Sequence, residues 1–507
     1  MKKIVAKMTA VSLFVVTIGS IVIPQAQTVD AKTPVMKKKI EITKGKSKTL
    51  KVTGKYIKSC RFKTTDSRVV RVNQKGKVTA KKVGKCKIKA WIKYRANKRS
   101  RKILKKTLVC AVTVKAVSPI QTEEPSDFVA SDSFVGQNAE FSVNLAKHAM
   151  GNAIEKGENA LISPESVICA LALAADGTEG ETGKQLEKIL MGDMDLTAFR
   201  EQLSEYNKYL TASEDVKFHL ANSIWIRDTD ELTVNEDYLQ RMKHYYDALV
   251  CRSGFDSQTV QEINNWVKEN TQGMIPSLID EIPAETMMFL INALSFEGRW
   301  QRQYRDNQIK SGESFTSASG IKETATMLQS SEYEYVEDQR STGVIKNYEG
   351  GKYAFMGILP KKGISLKEYL DSMTGESILK LYQTRSYQEV LTKIPEFSYD
   401  YSIGLAESFK KMGVEDLFDR EKADLTGLAR MKNQNLYVDE ILHKTHMELD
   451  RNGTKAAAVT AVIMEAASAA PVEEPKQVYL DRPFLYVIID TNSGLPVFIG
   501  AVNTLEK

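Results

Sequence analysis

The stretch that most restricts the fold runs from Gly453 to Ala470, Gly-Thr-Lys-Ala-Ala-Ala-Val-Thr-Ala-Val-Ile-Met-Glu-Ala-Ala-Ser-Ala-Ala. Every second residue from Thr454 (Thr454, Ala456, Ala458, Thr460, Val462, Met464) is small or apolar and uncharged. The two charges, Lys455 and Glu465, fall on the other parity. This is the period of a strand that can bury one face. Composition pulls the other way, because alanine is the best helix former and a poor strand former. Taken alone, the run reads equally as helix. It ends in small residues and an acidic, proline-bearing stretch from Pro471 to Pro475, which reads as exposed loop. A segment fit to be both a loop and a buried strand is a candidate switch.

The flanks favour the strand. Leu436 to Leu449 reads as extended chain, followed by a polar turn at Asp450-Arg451-Asn452-Gly453. Downstream, the apolar runs Arg482 to Asp490 and Pro496 to Val502 are joined by Thr491-Asn492-Ser493-Gly494, the pattern of a β-hairpin.

Gly-Thr-x-Ala-Ala-Ala-x-Thr, then a variable loop and Arg482-Pro483-Phe484, resembles the hinge and loop of the serpins. Further blocks follow in family order over residues 128–505. Among them are Ser163-Pro164-Glu165-Ser166, Leu220-Ala221-Asn222, Ile263-Asn264-Asn265-Trp266, Asn292-Ala293 through Trp300, Ile394-Pro395-Glu396-Phe397 and Met412 to Phe418. The resemblance implies an α+β serpin fold, with a large central β-sheet, two further sheets, about nine helices and an exposed reactive loop.

Charge divides the chain. Residues 32–118 hold 30 Lys and Arg against two acids, Glu41 and Asp66, whereas residues 119–507 hold 38 against 61. An asymmetry of this size points the basic part toward an anionic partner. Short alternating runs with polar turns, such as Lys87 to Ile92 and Val109 to Val114, argue for a small β-sandwich over residues 36–117. Thr64-Thr65-Asp66, Gly76-Lys77-Val78-Thr79-Ala80 and Val112-Thr113-Val114 resemble the bacterial immunoglobulin-like domains of group 2, with Phe62 where that family has Trp. An anionic cell-wall polymer, acidic glycan or lipid surface is the expected ligand, and no nucleic acid is expected. Residues 118–133, with Pro119 and Pro125, read as a linker, and residues 134–507 as the serpin domain.

Residues 1–31 read as a secretory signal: Lys2, Lys3 and Lys7 precede an apolar run from Thr9 to Ile23 and the small-residue site Val29-Asp30-Ala31. The run is shorter than the ~20 residues a membrane span needs. With no Leu-Pro-x-Thr-Gly motif, release outside the cell or non-covalent retention at its surface is expected. Five cysteines are too few for a disulfide scaffold, although Cys60, Cys86 and Cys110 leave room for one bridge; Cys169 reads as core.

Catalytic signatures fail. The sequence has no Gly-x-Ser-x-Gly elbow, His-Glu-x-x-His pair or phosphate-cradling glycine loop. Asp450-Arg451-Asn452-Gly453 opens like a calcium loop, but Ala461 stands where the closing Glu belongs. The expectation is a protein that is not an enzyme and carries neither metal nor cofactor.

What the resemblance implies is a suicide substrate: a serine protease acylates the loop, and the cut loop inserts as a new strand of the large sheet. Fourteen residues from Thr454 to Ala467 would span about 46 Å at ~3.3 Å each. The hinge comprises Gly453, Thr454, Ala456, Ala457, Ala458 and Thr460, and a charge or proline on its even face would stall insertion. Family spacing puts the reactive bond at Ala467-Ser468, whose methyl side chain suits a shallow, elastase-like pocket; Met464-Glu465 is the runner-up, suited to a chymotrypsin-like enzyme. Ser163, Ser166, Asn292 and His443 match the polar cluster under the opening sheet, and Trp300 matches the aromatic at its top. Arg451 stands where the family has Glu, so the usual ion pair is lost. The helix expected near Leu196 to Tyr209 mixes Arg200 and Lys208 with acids, so no glycan activation through it is expected. The implied partner is an elastase-like protease held covalently by a monomeric inhibitor; the alternative is a non-inhibitory serpin-fold binding or adhesion protein.

Overall fold

The computed structural model describes residues 33–506 except 44–46, 83, 98–99, 116–127, 214 and 455–473. Two compact units divide the chain at residues 124 and 125.

In the N-terminal unit, alternation builds the sandwich. Strand Gly84–Arg95 turns Cys86, Ile88, Ala90, Ile92 and Tyr94 inward and Lys85, Lys87, Lys89, Trp91 and Lys93 outward. It pairs with Ile103–Lys115 on one side and Ile57–Thr64 on the other, and Lys39–Thr43 completes a four-stranded sheet. Ser47–Thr49, Lys77–Ala80 and Val70–Val72 form the second sheet. Ile40, Leu50, Val70, Val78, Ile88 and Val112 pack together in the core. Gly76 closes the turn before Lys77 at φ +81°, where a Cβ would meet the Leu50 carbonyl oxygen at 2.4 Å. No bridge joins Cys60, Cys86 and Cys110, and Cys169 and Cys251 are also free.

The C-terminal unit has the serpin architecture, with nine α-helices among the described residues. Its six-stranded sheet runs in the order Leu249–Ser253, Val216–Arg227, Met288–Arg299, Gly453–Thr454, Leu442–Asp450, Phe397–Gly404. The two further sheets share the 16-residue strand Lys322–Glu337, which joins them into one nine-stranded sheet. The hairpin read from sequence, Phe484–Asp490 with Pro496–Val502, lies within this sheet and is buried along its whole length. Its near-continuous apolar runs suit strands covered on both faces. The Asp490 carboxylate ties the turn by accepting from the Ser493 hydroxyl at 2.5 Å. Extended chain begins later than expected: the strand starts at Leu442, because Gly404↔Leu442 is the last rung of the ladder with Phe397–Gly404.

Helix Leu196–Thr211 turns Arg200 inward. Arg200 meets the fully buried Asp176 carboxylate through two bonds of 2.7 and 2.8 Å. Arg241 at 2.6 Å and the Tyr246 hydroxyl at 3.2 Å complete the ring of donors. Removing the charge leaves two guanidinium groups around a neutral amide, and breaking a buried pair in this way costs several kcal/mol. Asp176→Asn is therefore expected to lower unfolding free energy by about 3 kcal/mol, read as a lower urea midpoint at unchanged slope.

Candidate functional site

The site lies where two neighbouring strands do not meet. Among the described residues, Met288–Arg299 and Leu442–Asp450 are joined only through Gly453–Thr454, which pairs with both: Gly298↔Thr454 on one side, Leu449↔Thr454 on the other. Below this two-residue strand lies a cavity of about 860 Å³, lined by Asn292, Leu294 and Phe296 from one edge and His443, Thr445 and Met447 from the other. Ser163 and Ser166 form part of its wall.

Helix Pro164–Ala175 holds both edges. Its N-cap is Ser163, whose hydroxyl accepts from the Ser166 N–H at 3.4 Å and donates to the Val497 carbonyl at 3.0 Å. The Ser163 N–H, lying before the helix, donates to His443 Nε2 at 3.1 Å. The Ser166 hydroxyl donates to Asn292 Oδ1, and the Asn292 amide donates to Asn222 Oδ1 at 2.9 Å. Asn222 passes the chain on to the Tyr246 carbonyl at 2.9 Å. The four residues matched from sequence are thus brought together. Asn222 and Thr445, whose hydroxyl donates to the Leu161 carbonyl at 3.0 Å, extend the group. Asn222 had no role assigned from sequence; an amide among Leu220, Ala221, Ile224, Trp225 and Ile226 was the available signal.

The top is built around the turn. Asp450 Oδ1 accepts from the N–H groups of Asn452 at 2.7 Å and Gly453 at 3.1 Å. Gly453 has φ +151°, and a Cβ there would meet the Gly298 carbonyl oxygen at 2.1 Å, so only glycine fits. The Trp300 indole N–H donates to the Asp450 carbonyl at 3.0 Å, and its ring stacks on Tyr348 at 4.7 Å. Tyr348 in turn bonds the Thr454 hydroxyl at 2.7 Å. Beneath them, Lys346 is buried against Glu332 at 2.5 Å and sits 4.5 Å from the centre of the Tyr304 ring.

Arg451 has partners that the sequence did not reveal. Its guanidinium pairs with Asp306, and its N–H donates to Glu396 Oε1 at 3.2 Å. Burial raises the Glu396 carboxyl above its ordinary range. The turn is therefore held by a basic group facing two acids. Hinge residues Ala456, Ala457, Ala458 and Thr460, and the reactive bond Ala467-Ser468, lie outside the described residues.

Comparisons with known proteins agree with this geometry. Residues 136–505 match the family described as serpin (serine protease inhibitor), and residues 31–102 match the bacterial Ig-like domain (group 2). A serpin-like protein of Methanosarcina acetivorans is 30% identical over 360 residues, 69% of this chain and 82% of its own length. The native structure of tengpin, a thermophilic serpin, is 37% identical with a TM-score of 0.69, covering 74% of this chain and 95% of tengpin. Tengpin in its latent state matches with a TM-score of 0.66 at 34% identity, covering 74% and 99%.

Burial pulls His443 down to about 4, so the native ring is neutral and accepts the Ser163 N–H. The unfolded ring titrates at its ordinary 6.5. Between those values the unfolded state binds more protons, so stability falls as pH drops from 6.5 toward 4, by about 3 kcal/mol in full. Glu165, pushed up to about 7 by burial, slopes the other way, so the difference between wild type and His443→Gln isolates the ring. The variant is expected to lose the acid-side slope in urea midpoints measured from pH 7 to 4.

Proposed function

Because the chain belongs to the serpin family of serine protease inhibitors, we propose that it is a secreted inhibitor that traps elastase-like proteases by having its loop cut and then inserted as a strand. The observation that carries this reading is a match of register. Gly298 and Leu449 both face Thr454. Continuing those two ladders downward would set Ala456 between Phe296 and Met447, Ala458 between Leu294 and Thr445, Thr460 between Asn292 and His443, and Val462 between Leu290 and Ile441. Small residues meet bulky ones, the hydroxyl meets the polar pair, and the apolar branch meets apolar neighbours. Such a strand would fill the cavity and satisfy the facing backbone groups, which are costly to leave unpaired.

Several observations support the rest. The even face carries no charge and no proline from Thr454 to Met464. Ala467 presents a methyl group to the protease's primary pocket, which suits an elastase-like site rather than one built for Arg or Lys. Tengpin, a related serpin, is known in native and latent states. The leader pattern of residues 1–31 supports export, and the basic N-terminal domain supports retention on an anionic surface polymer outside the cell.

Incubation with a pancreatic-type elastase is expected to give an SDS-resistant complex and a new N-terminus at Ser468. Cleavage without complex would leave a substrate or binding protein instead, and a cut before Glu465 by a chymotrypsin-like enzyme would move the bond to the runner-up register. Parity supplies the sharper test. Thr460→Arg is expected to abolish the complex while cleavage persists, because the charge would be buried beside His443. Ala457→Arg, on the outward parity, is expected to retain it.

A further inference from the structure

We propose that the outward face of the four-stranded sheet in the N-terminal unit binds an acidic polysaccharide, with Trp91 as the platform for a sugar ring and the surrounding cations as partners for its carboxylates. This deepens the surface-retention part of the functional reading and rests on it.

Strand Gly84–Arg95 sends Lys85, Lys87, Lys89, Trp91 and Lys93 to one exposed face. Arg61 stands opposite Trp91 on the neighbouring strand, and Lys105 stands opposite Lys93 on the other. Alternate residues lie about 6.7 Å apart along a strand, and strands lie about 4.8 Å apart. The cations therefore form a flat grid around one indole. Directly opposed like charges, as in Lys93 with Lys105, weaken a sheet. Of the domain's two acids, Asp66 pairs with Arg68 at 3.1 Å, and Glu41, opposite Thr113, falls in the cross-strand row of Lys85, six residues along the strand from Trp91. A polyanion laid on the grid removes the repulsion, and a ligand that binds only the folded domain stabilises it.

The indole selects among polyanions. Trp91 is 43% exposed, a large indole open to solvent among the cations. An exposed indole offers a broad apolar face with a polar N–H at its edge, which suits the apolar face and rim hydroxyls of a pyranose ring. Single-stranded nucleic acid is held by stacking successive bases on several aromatics. The paired strands put one aromatic on this face among the described residues.

The test is equilibrium binding of the full chain to polygalacturonate, with neutral dextran, phosphatidylglycerol vesicles and single-stranded DNA as comparison probes. Polygalacturonate is expected to bind, to weaken toward 0.15 M salt (about one Debye length of 8 Å), and to bind Trp91→Ala about fivefold more weakly. Trp91→Tyr, which keeps a ring, is expected to restore most of that loss, and dextran is expected not to bind. Wild-type affinity in Trp91→Ala, or tighter binding of vesicles or DNA than of polygalacturonate, would overturn the proposal while leaving surface retention standing. Failure to bind any of the polyanions would overturn both. Protease trapping reads out separately and is expected to be the same in every variant.

Discussion

Backbone N–H and C=O groups must be paired wherever water is excluded, and that obligation shapes the serpin domain. Among the described residues, two strands of its six-stranded sheet face one another across a cavity and meet only through Gly453–Thr454 at the top. Both edges are bonded at the N-terminus of one helix: the Ser163 N–H donates to the His443 ring, and the Ser166 hydroxyl donates to the Asn292 side chain. Side-chain bonds of this kind can be exchanged for others of similar strength. A ladder of main-chain bonds, once formed, is far more extensive. On the proposed reading, a strand entering between those edges would be a large favourable step.

The polar cluster serves two needs. It satisfies buried groups in the unfilled arrangement, and it offers a hydroxyl-sized polar environment at the level where the register would bring Thr460. A wholly apolar wall would serve the first state and penalise the second. Placing the exchangeable bonds at a helix N-terminus is economical, because the N–H groups there lack intrahelical acceptors.

Much of this was legible in the sequence because it is local. The even parity from Thr454, the glycine at 453, the hairpin near the C-terminus and the alternation of Lys with apolar residues in strand Gly84–Arg95 are all patterns within a few residues. The interactions that escaped reading join distant positions. Arg451 finds Asp306, 145 residues away, and Arg200 and Arg241 converge on Asp176. Lys346 and Glu332 pair in the interior on adjacent strands. Nothing in the neighbourhood of a charged residue reveals which opposite charge the fold will deliver to it. The fusion of two sheets through Lys322–Glu337 was hidden for a related reason: a strand's pattern shows which face is buried, not how many partners it serves along its length.

That shared strand has a mechanical consequence. Gly453–Thr454 belongs to the six-stranded sheet and Lys476–Tyr479 to the nine-stranded one, where it pairs in parallel with Ser386–Pro395. The 21 residues between them are thus a tie between two separately braced walls. While the tie is whole, each residue taken up at one end shortens the span left for the other, and the walls set a limit on travel. Cutting it would free each end from the limit set by the other. On the proposed reading, a protease that severed such a tie would not loosen the molecule; it would release a spring whose anchor points were chosen by the topology of two sheets.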